Sequence, residues 1–302
     1  MQFPRLRISL GAALLGSLAL TGCGGGTTAK YEGSVVTGQV LMGPQYPGDA
    51  SGGAVAGATV CAYAFLSNGS PVYTINYGAL PYTYNITAAA TCQTTAANGS
   101  FSFNLTNGVY GPVLLQAYGG SYTFTPAGAT AARSFTLNQL TSTNLSFLTT
   151  TSTNYFIASN TTLQAVVNVG GGGTVSTNIT PLTTFAVARS NPIAGFTLAT
   201  YQNNLSNLAA QLGITGVSDL ANAVPGNTAT DTSGTYGRAM LGVEQYLATM
   251  TPNGSNADDP YSANLLNWTN LGTATTAATV SKDYTDAYQA INAGSTATFN
   301  FN

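Results

Sequence analysis

The sequence predicts a β-sandwich followed by a mainly α-helical domain. Three observations carry that expectation. Short alternating segments with glycine-rich turns run to about residue 150, the apolar spacing becomes helical at Thr180, and Cys61 and Cys92 are placed to staple the first part. The expected divisions are a leader at 1–22, a tether at 23–33, the sandwich at 34–150, a linker and hairpin at 151–179, and a helical domain ending in a strand at 180–302.

The strands come first. Ser34 to Met42 is one candidate, and Val55 to Phe65 is another. From Val60 onward, Cys61, Tyr63 and Phe65 fall on one face and the smaller Ala62 and Ala64 on the other, a period of two. Gly52, Gly53 and Gly57 supply turn chemistry ahead of it, and Ser67-Asn-Gly-Ser-Pro71 forms a turn cluster behind it. Asn98-Gly99 is a hairpin-type turn leading into Ser100–Leu105, where Phe101, Phe103 and Leu105 share a face. Pro112–Tyr118, Ser121–Thr125, Ser134–Leu137 and Asn144–Leu148 complete the set. The polar run Thr151–Asn160 reads as a linker or edge segment. Thr162–Val169 and Thr174–Ile179 then flank Gly170–Gly173, which reads as a hairpin with a flexible tip.

Three of these stretches carry a resemblance. Gly38-Gln-Val40, then Val55-Ala-Gly-Ala-Thr-Val60, then Thr95-Ala-Ala-Asn-Gly-Ser-Phe101 is similar, in order and content, to the carboxypeptidase regulatory-like, or transthyretin-like, family. Ala54 and Ala96 stand where that family has a proline and an aspartate. The resemblance implies an antiparallel Greek-key sandwich that serves as a non-catalytic accessory.

The helical signals start with Thr180 as a cap, Pro181 at the first helical position, and Leu182, Phe185 and Ala186 as an apolar face. Leu198, Tyr201, Leu205, Leu208 and Leu212 recur at helical spacing between Thr197, an N-cap, and Gly213, a stop. Tyr236, Met240, Val243 and Leu247 repeat the pattern, as do Tyr261, Leu265 and Trp268, and then Val280, Tyr284, Ala287 and Ile291. Asn178 to Arg189 is similar to the start of the helical part in bacterial lipoproteins that pair these two modules. The tail from Thr296 puts Phe299 and Phe301 on one face, so it reads as a strand returning near Val169 or to a sandwich edge.

The N-terminus supplies an address. Arg5 and Arg7 form a basic region, and Ile8 to Leu20 an apolar stretch too short to span a bilayer. Leu20-Thr21-Gly22-Cys23 resembles the lipobox of bacterial lipoproteins, which implies cleavage before Cys23 and its lipidation. By the same resemblance, Gly24 after the cysteine implies outer-membrane sorting in a cell with two membranes, on the periplasmic or the surface face. Without lipidation, the segment is a plain secretory peptide. Gly24–Thr28 reads as a flexible tether. Of three cysteines this leaves Cys61 and Cys92, which in an exported chain read as a disulfide. Closing a loop of that length is worth roughly 3–4 kcal/mol. A redox or metal pair fits the spacing poorly.

Composition excludes several kinds of chemistry. Charged residues make up 5% of the chain, against roughly 25% in ordinary soluble proteins, so nucleic acid, whose phosphates need Lys and Arg to neutralise them, is a poor fit. With no histidine, Ser–His–Asp and Cys–His nucleophiles and imidazole zinc sites are excluded. Asp231-Thr-Ser-Gly234 reads as helix capping, and Gly170–Gly173 lacks the lysine of a phosphate loop. Asp283 and Asp286 read either as a carboxylate pair on one helix face or as anions near a helix N-terminus. Asn253, Asn256, Asp258 and Asp259 offer loop oxygens for Ca²⁺, although Asp259-Pro260 is also a helix start. Apart from calcium at those residues no cofactor is expected, and no catalytic residue. Tyr73, Tyr77, Tyr82 and Tyr84 crowd the stretch between Cys61 and Cys92, suited to glycan or protein contact or simply to covering the sandwich.

The expected function is that of a lipid-anchored, non-catalytic envelope protein. It would bind a protein or glycan partner or contribute to a surface assembly. The alternatives are a glycan hydrolase using two carboxylates and a purely structural envelope spacer.

Overall fold

The computed structural model describes residues 33–44, 53–64, 74–75, 84–85, 92–105, 110–137, 163–170, 172–190, 196–226, 234–249 and 274–301. Among them the strands are β1 (Val35–Gln39), β2 (Thr59–Ala64), β3 (Thr74–Ile75), β4 (Tyr84–Asn85), β5 (Gln93–Thr94) and β6 (Ser100–Asn104). They continue with β7 (Gly111–Tyr118), β8 (Ser121–Phe124), β9 (Arg133–Thr136), β10 (Leu163–Val169) and β11 (Thr174–Ser176). The helices α1 (Pro181–Arg189), α2 (Leu198–Gln211), α3 (Gly234–Thr249) and α4 (Ala274–Ile291) follow.

Two open sheets dominate. One has the order β11-β1-β6 and the other β10-β7-β2-β5, with two-stranded ribbons β3-β4 and β8-β9 besides. The all-antiparallel expectation needs correction, because β11 runs parallel to β1 and makes the first sheet mixed. The reason lies in the glycine turn. β10 pairs with β7 and β11 with β1, so between Val169 and Thr174 the chain passes from one sheet to the other instead of closing a hairpin. The Asn98-Gly99 turn does the same between β5, on β2, and β6, on β1. A period-two pattern around a turn residue shows that the chain reverses there. It does not say which sheet receives the next strand.

The three similar stretches meet in space. Thr95 is buried; its hydroxyl donates to the Val55 carbonyl at 2.7 Å and accepts from the Ala58 amide at 2.9 Å. The Val40 amide donates to the Gly99 carbonyl, and the Val55 amide to the Val40 carbonyl, both at 2.9 Å. Gly38 lets β1 lie against the Thr177 carbonyl, because a Cβ there would overlap that oxygen. Phe101 and Phe103 alternate inward along β6 as predicted. Along β7, by contrast, Val113 to Ala117 are all buried, and along β10 so are Leu163 to Val167. These strands read as continuous runs because both faces are covered, one of them by α1 against β10.

The helix boundaries follow from capping. Thr180 closes a capping box with Thr183, and Pro181 occupies the first turn. Thr197 caps α2, whose C-terminal end passes into Gly213 at φ +64°. The predicted apolar faces of these helices are buried: Leu182, Phe185, Tyr201, Leu208, Tyr236, Met240, Val243, Leu247, Val280 and Tyr284 all lie in the core. One hydrophobic cluster runs from Val36 in β1 through the helices to Phe301, and the described residues belong to one compact unit.

The tail corrects another expectation. Thr296 to Phe301 alternates as predicted, yet it joins no sheet and does not return to Val169. It lies extended on α4, with the Phe299 amide donating to Thr285 Oγ1 at 3.1 Å and the Phe301 amide to Ser281 Oγ at 2.9 Å. Phe299 packs edge-on against Tyr284 and Tyr288, and Phe301 against Tyr284. Helix hydroxyls supply the acceptors that a neighbouring strand would have supplied.

Candidate functional site

The sequence-derived candidates fall into two places. At the edge of the four-stranded sheet, Val60 of β2 stands opposite Gln93 of β5, and one residue beyond that pair a disulfide joins Cys61 to Cys92. The Cα atoms are 4.2 Å apart across 31 residues of sequence. The two cysteines differ in environment, since Cys61 is buried and Cys92 is exposed. On its other side β2 pairs with β7, Cys61 opposite Gln116, which brings Tyr118 diagonally onto the same face. The Tyr118 hydroxyl lies 3.7 Å from Cys61 Sγ. A disulfide sulfur has no proton, so the hydroxyl is the donor. Burial pushes the Tyr118 phenol above its ordinary value and keeps it protonated. Of the tyrosines singled out in this loop, Tyr84 lies in β4 opposite Ile75, while Tyr73, Tyr77 and Tyr82 lie outside the described residues.

The second place is the joint between α3 and the strands, which sequence reasoning missed. Glu244 is 2% exposed, and its Oε1 has no hydrogen-bond partner. Its carboxyl group lies directly over the Gly43 backbone, where no Cβ would fit. Desolvation raises its pKa well above the ordinary value, with no neighbouring charge acting against that rise. The adjacent Gln245, also buried, accepts from the Ala127 amide through Oε1 at 2.7 Å, between β8 and β9. A signal for Glu244 exists in the sequence. It stands four residues after Met240 and so falls within the apolar stripe of Tyr236, Met240, Val243 and Leu247.

Tyrosines elsewhere serve packing. Tyr201, Tyr236, Tyr246 and Tyr284 are buried to 1% exposure or less. Tyr284 donates to the Ala239 carbonyl at 3.1 Å and Tyr236 to the Leu220 carbonyl at 3.4 Å. Burial pushes the phenols of Tyr201, Tyr236 and Tyr284 upward.

The acidic candidates do not converge among the described residues. Asp286 accepts from Lys282 Nζ at 2.6 Å on an exposed stretch of α4. Asp219 accepts from the Ala221 and Asn222 amides and from Asn222 Nδ2 in a local turn. That turn and α2 border a groove of about 290 Å³ lined by Gln202, Leu205, Ser206, Val217, Asp219 and Leu220. No cluster of three metal-ligating side chains occurs among the described residues, nor any helix long and apolar enough to cross a membrane. Cys23, Asp231, Asn253, Asn256, Asp258 and Asp259 lie outside the described residues. No protein-family profile, curated protein or solved structure matches the chain.

Proposed function

We propose that the chain is a lipid-anchored cell-envelope protein, non-catalytic, whose strand half presents the stapled stretch between Cys61 and Cys92 to a protein or glycan partner. The observation that carries this is the use of the cysteines. Cys61 and Cys92 are joined, as suits an oxidising compartment, and the remaining Cys23 stands in Leu20-Thr21-Gly22-Cys23 after a basic and an apolar segment. After cleavage five basic residues stand against nine acidic ones, so acyl chains rather than a polybasic patch would hold the membrane.

The strand half is a transthyretin-like sandwich of the carboxypeptidase regulatory-like kind. Support comes from the convergence of Gly38–Val40, Val55–Val60 and Thr95–Phe101 through Thr95 and Gly99. The helices complete its core.

The test is Cys23→Ser in a diderm host. The expected result is loss of the acylated N-terminal peptide by mass spectrometry, with the protein soluble or held as an uncleaved precursor. A variant that matures and fractionates with membranes like the parent overturns the anchor. A glycan array beside a pull-down from the native envelope then separates a binding role from a spacer.

A further inference from the structure

We infer that the Cys61–Cys92 bond is a one-sided thiol-exchange site, opened by attack on Cys92 and assisted by Tyr118, which holds the departing Cys61 sulfur. The inference does not rest on the lipid anchor. It starts from the asymmetry of the bond: Cys92 is exposed beside the two-residue β5, whereas Cys61 is 2% exposed between β5 and β7. An incoming thiolate reaches the first sulfur and not the second.

The electrons then have one route. A thiolate attacks Cys92 Sγ and forms a mixed disulfide, the Cys92–Cys61 bond breaks, and its electron pair stays on Cys61 Sγ. A second thiolate of the same partner attacks its own mixed-disulfide sulfur and releases Cys92. The partner, a dithiol such as an exported oxidoreductase carries, is oxidised to its disulfide, and the chain gains two electrons and, from solvent, two protons.

Burial makes Cys61 a poor leaving group, because a desolvated thiolate is disfavoured. Tyr118 offsets this. Its hydroxyl already lies 3.7 Å from Cys61 Sγ, and a hydrogen bond to sulfur strengthens as charge builds there. Gln116, directly opposite Cys61 on β7, is not needed for the step. Opening the bond leaves β5 tied to β2 through Thr59 opposite Thr94 and Val60 opposite Gln93, and through Thr95. The exchange therefore acts on the edge of the four-stranded sheet and spares its centre.

The test uses the purified, oxidised mature chain with reduced glutathione as probe, acid quench, alkylation and peptide mapping. Glutathione is expected on Cys92 with Cys61 alkylated. Glutathione on Cys61 to an equal or greater extent overturns the one-sided attack. Tyr118→Phe, checked by circular dichroism and by intact cystine, should be reduced by dithiothreitol about three- to tenfold more slowly. In the reduced protein its Cys61 should also alkylate with a pH profile displaced upward. An unchanged rate together with an unchanged pH profile removes Tyr118 from the step. A change in rate alone, with no displacement of the profile, assigns the residue to packing and also overturns its role.

Discussion

Two joints bind helices to strands, and they treat buried polar groups in opposite ways. At the α1 joint, Gln164 of the edge strand β10 turns its backbone away from β7. The Gln164 amide donates to Thr184 Oγ1 at 2.8 Å, and the Gln164 carbonyl accepts from Thr183 Oγ1 at 2.7 Å. The Thr180 amide closes the box by donating to Thr183 Oγ1 at 2.8 Å. Two adjacent hydroxyls thus saturate both the sheet edge and the helix start, and no group there titrates. At the α3 joint, Glu244 is as deeply buried, yet its Oε1 is without a partner. The first joint is fixed by geometry alone, while the second depends on whether a proton is present.

Breaking the saturated joint should have the largest effect. Thr183→Val with Thr184→Val keeps the shape but strands the buried amides of Gln164 and Thr180. Each unsatisfied group costs roughly 1–3 kcal/mol, so the pair should lose about 3–5 kcal/mol in urea unfolding. A loss below about 1 kcal/mol would mean that water replaces the hydroxyls and that the joint is wetter than its burial indicates.

Removing the staple should have the next largest effect. Cys61→Ser with Cys92→Ser should cost roughly 2–4 kcal/mol by the loop-closure argument. Because a single hydrophobic cluster spans strands and helices, helix and strand signals should melt together. Two separate transitions would show that the helical part folds alone, as the change to helical spacing at Thr180 suggests from sequence.

The helical faces were legible because burial there follows a period that side chains alone determine. Leu182, Phe185, Tyr201 and Tyr284 needed only counting, and Thr180 and Thr197 announced their caps. The disulfide was legible from an even remainder of cysteines. Sheet membership was not, because β10 and β11 flank a glycine run exactly as hairpin strands would, and the choice of sheet is made by distant partners. The tail misled for a similar reason: alternation at Phe299 and Phe301 reports an extended chain, not a neighbour. Glu244 was passed over because an isolated acid among apolar residues reads as solvent-facing until its spacing from Met240 is counted.

Sharpening the comparison at α3 should raise stability. Folding raises the Glu244 pKa, so the folded chain holds a proton that the unfolded chain releases above its ordinary value of 4.5. The penalty is absent below that value. It grows as pH rises above it and levels off once the folded group also ionises. Glu244→Gln should therefore match the parent near pH 4 and exceed it by roughly 1–3 kcal/mol at pH 7–8, measured by urea midpoints across pH. A parent that keeps level with the variant, or gains on it, between pH 5 and 8 would show that the carboxylate finds a partner on ionising.

The smallest effect isolates burial from cap chemistry. Thr197 caps α2 as Thr180 caps α1: its Oγ1 accepts from the Thr200 amide at 3.1 Å, but in an exposed setting. Thr197→Ala should cost about 1 kcal/mol, because water can reach the freed amide. Thr180→Ala removes a hydroxyl that accepts from the Thr183 amide at 3.2 Å inside the core, where water has no access. Its cost should exceed that of Thr197→Ala by the desolvation of a stranded donor, again about 1–2 kcal/mol. Equal costs in parallel urea titrations would show that the buried cap relaxes to another acceptor. The contrast between the two joints would then rest on Glu244 alone.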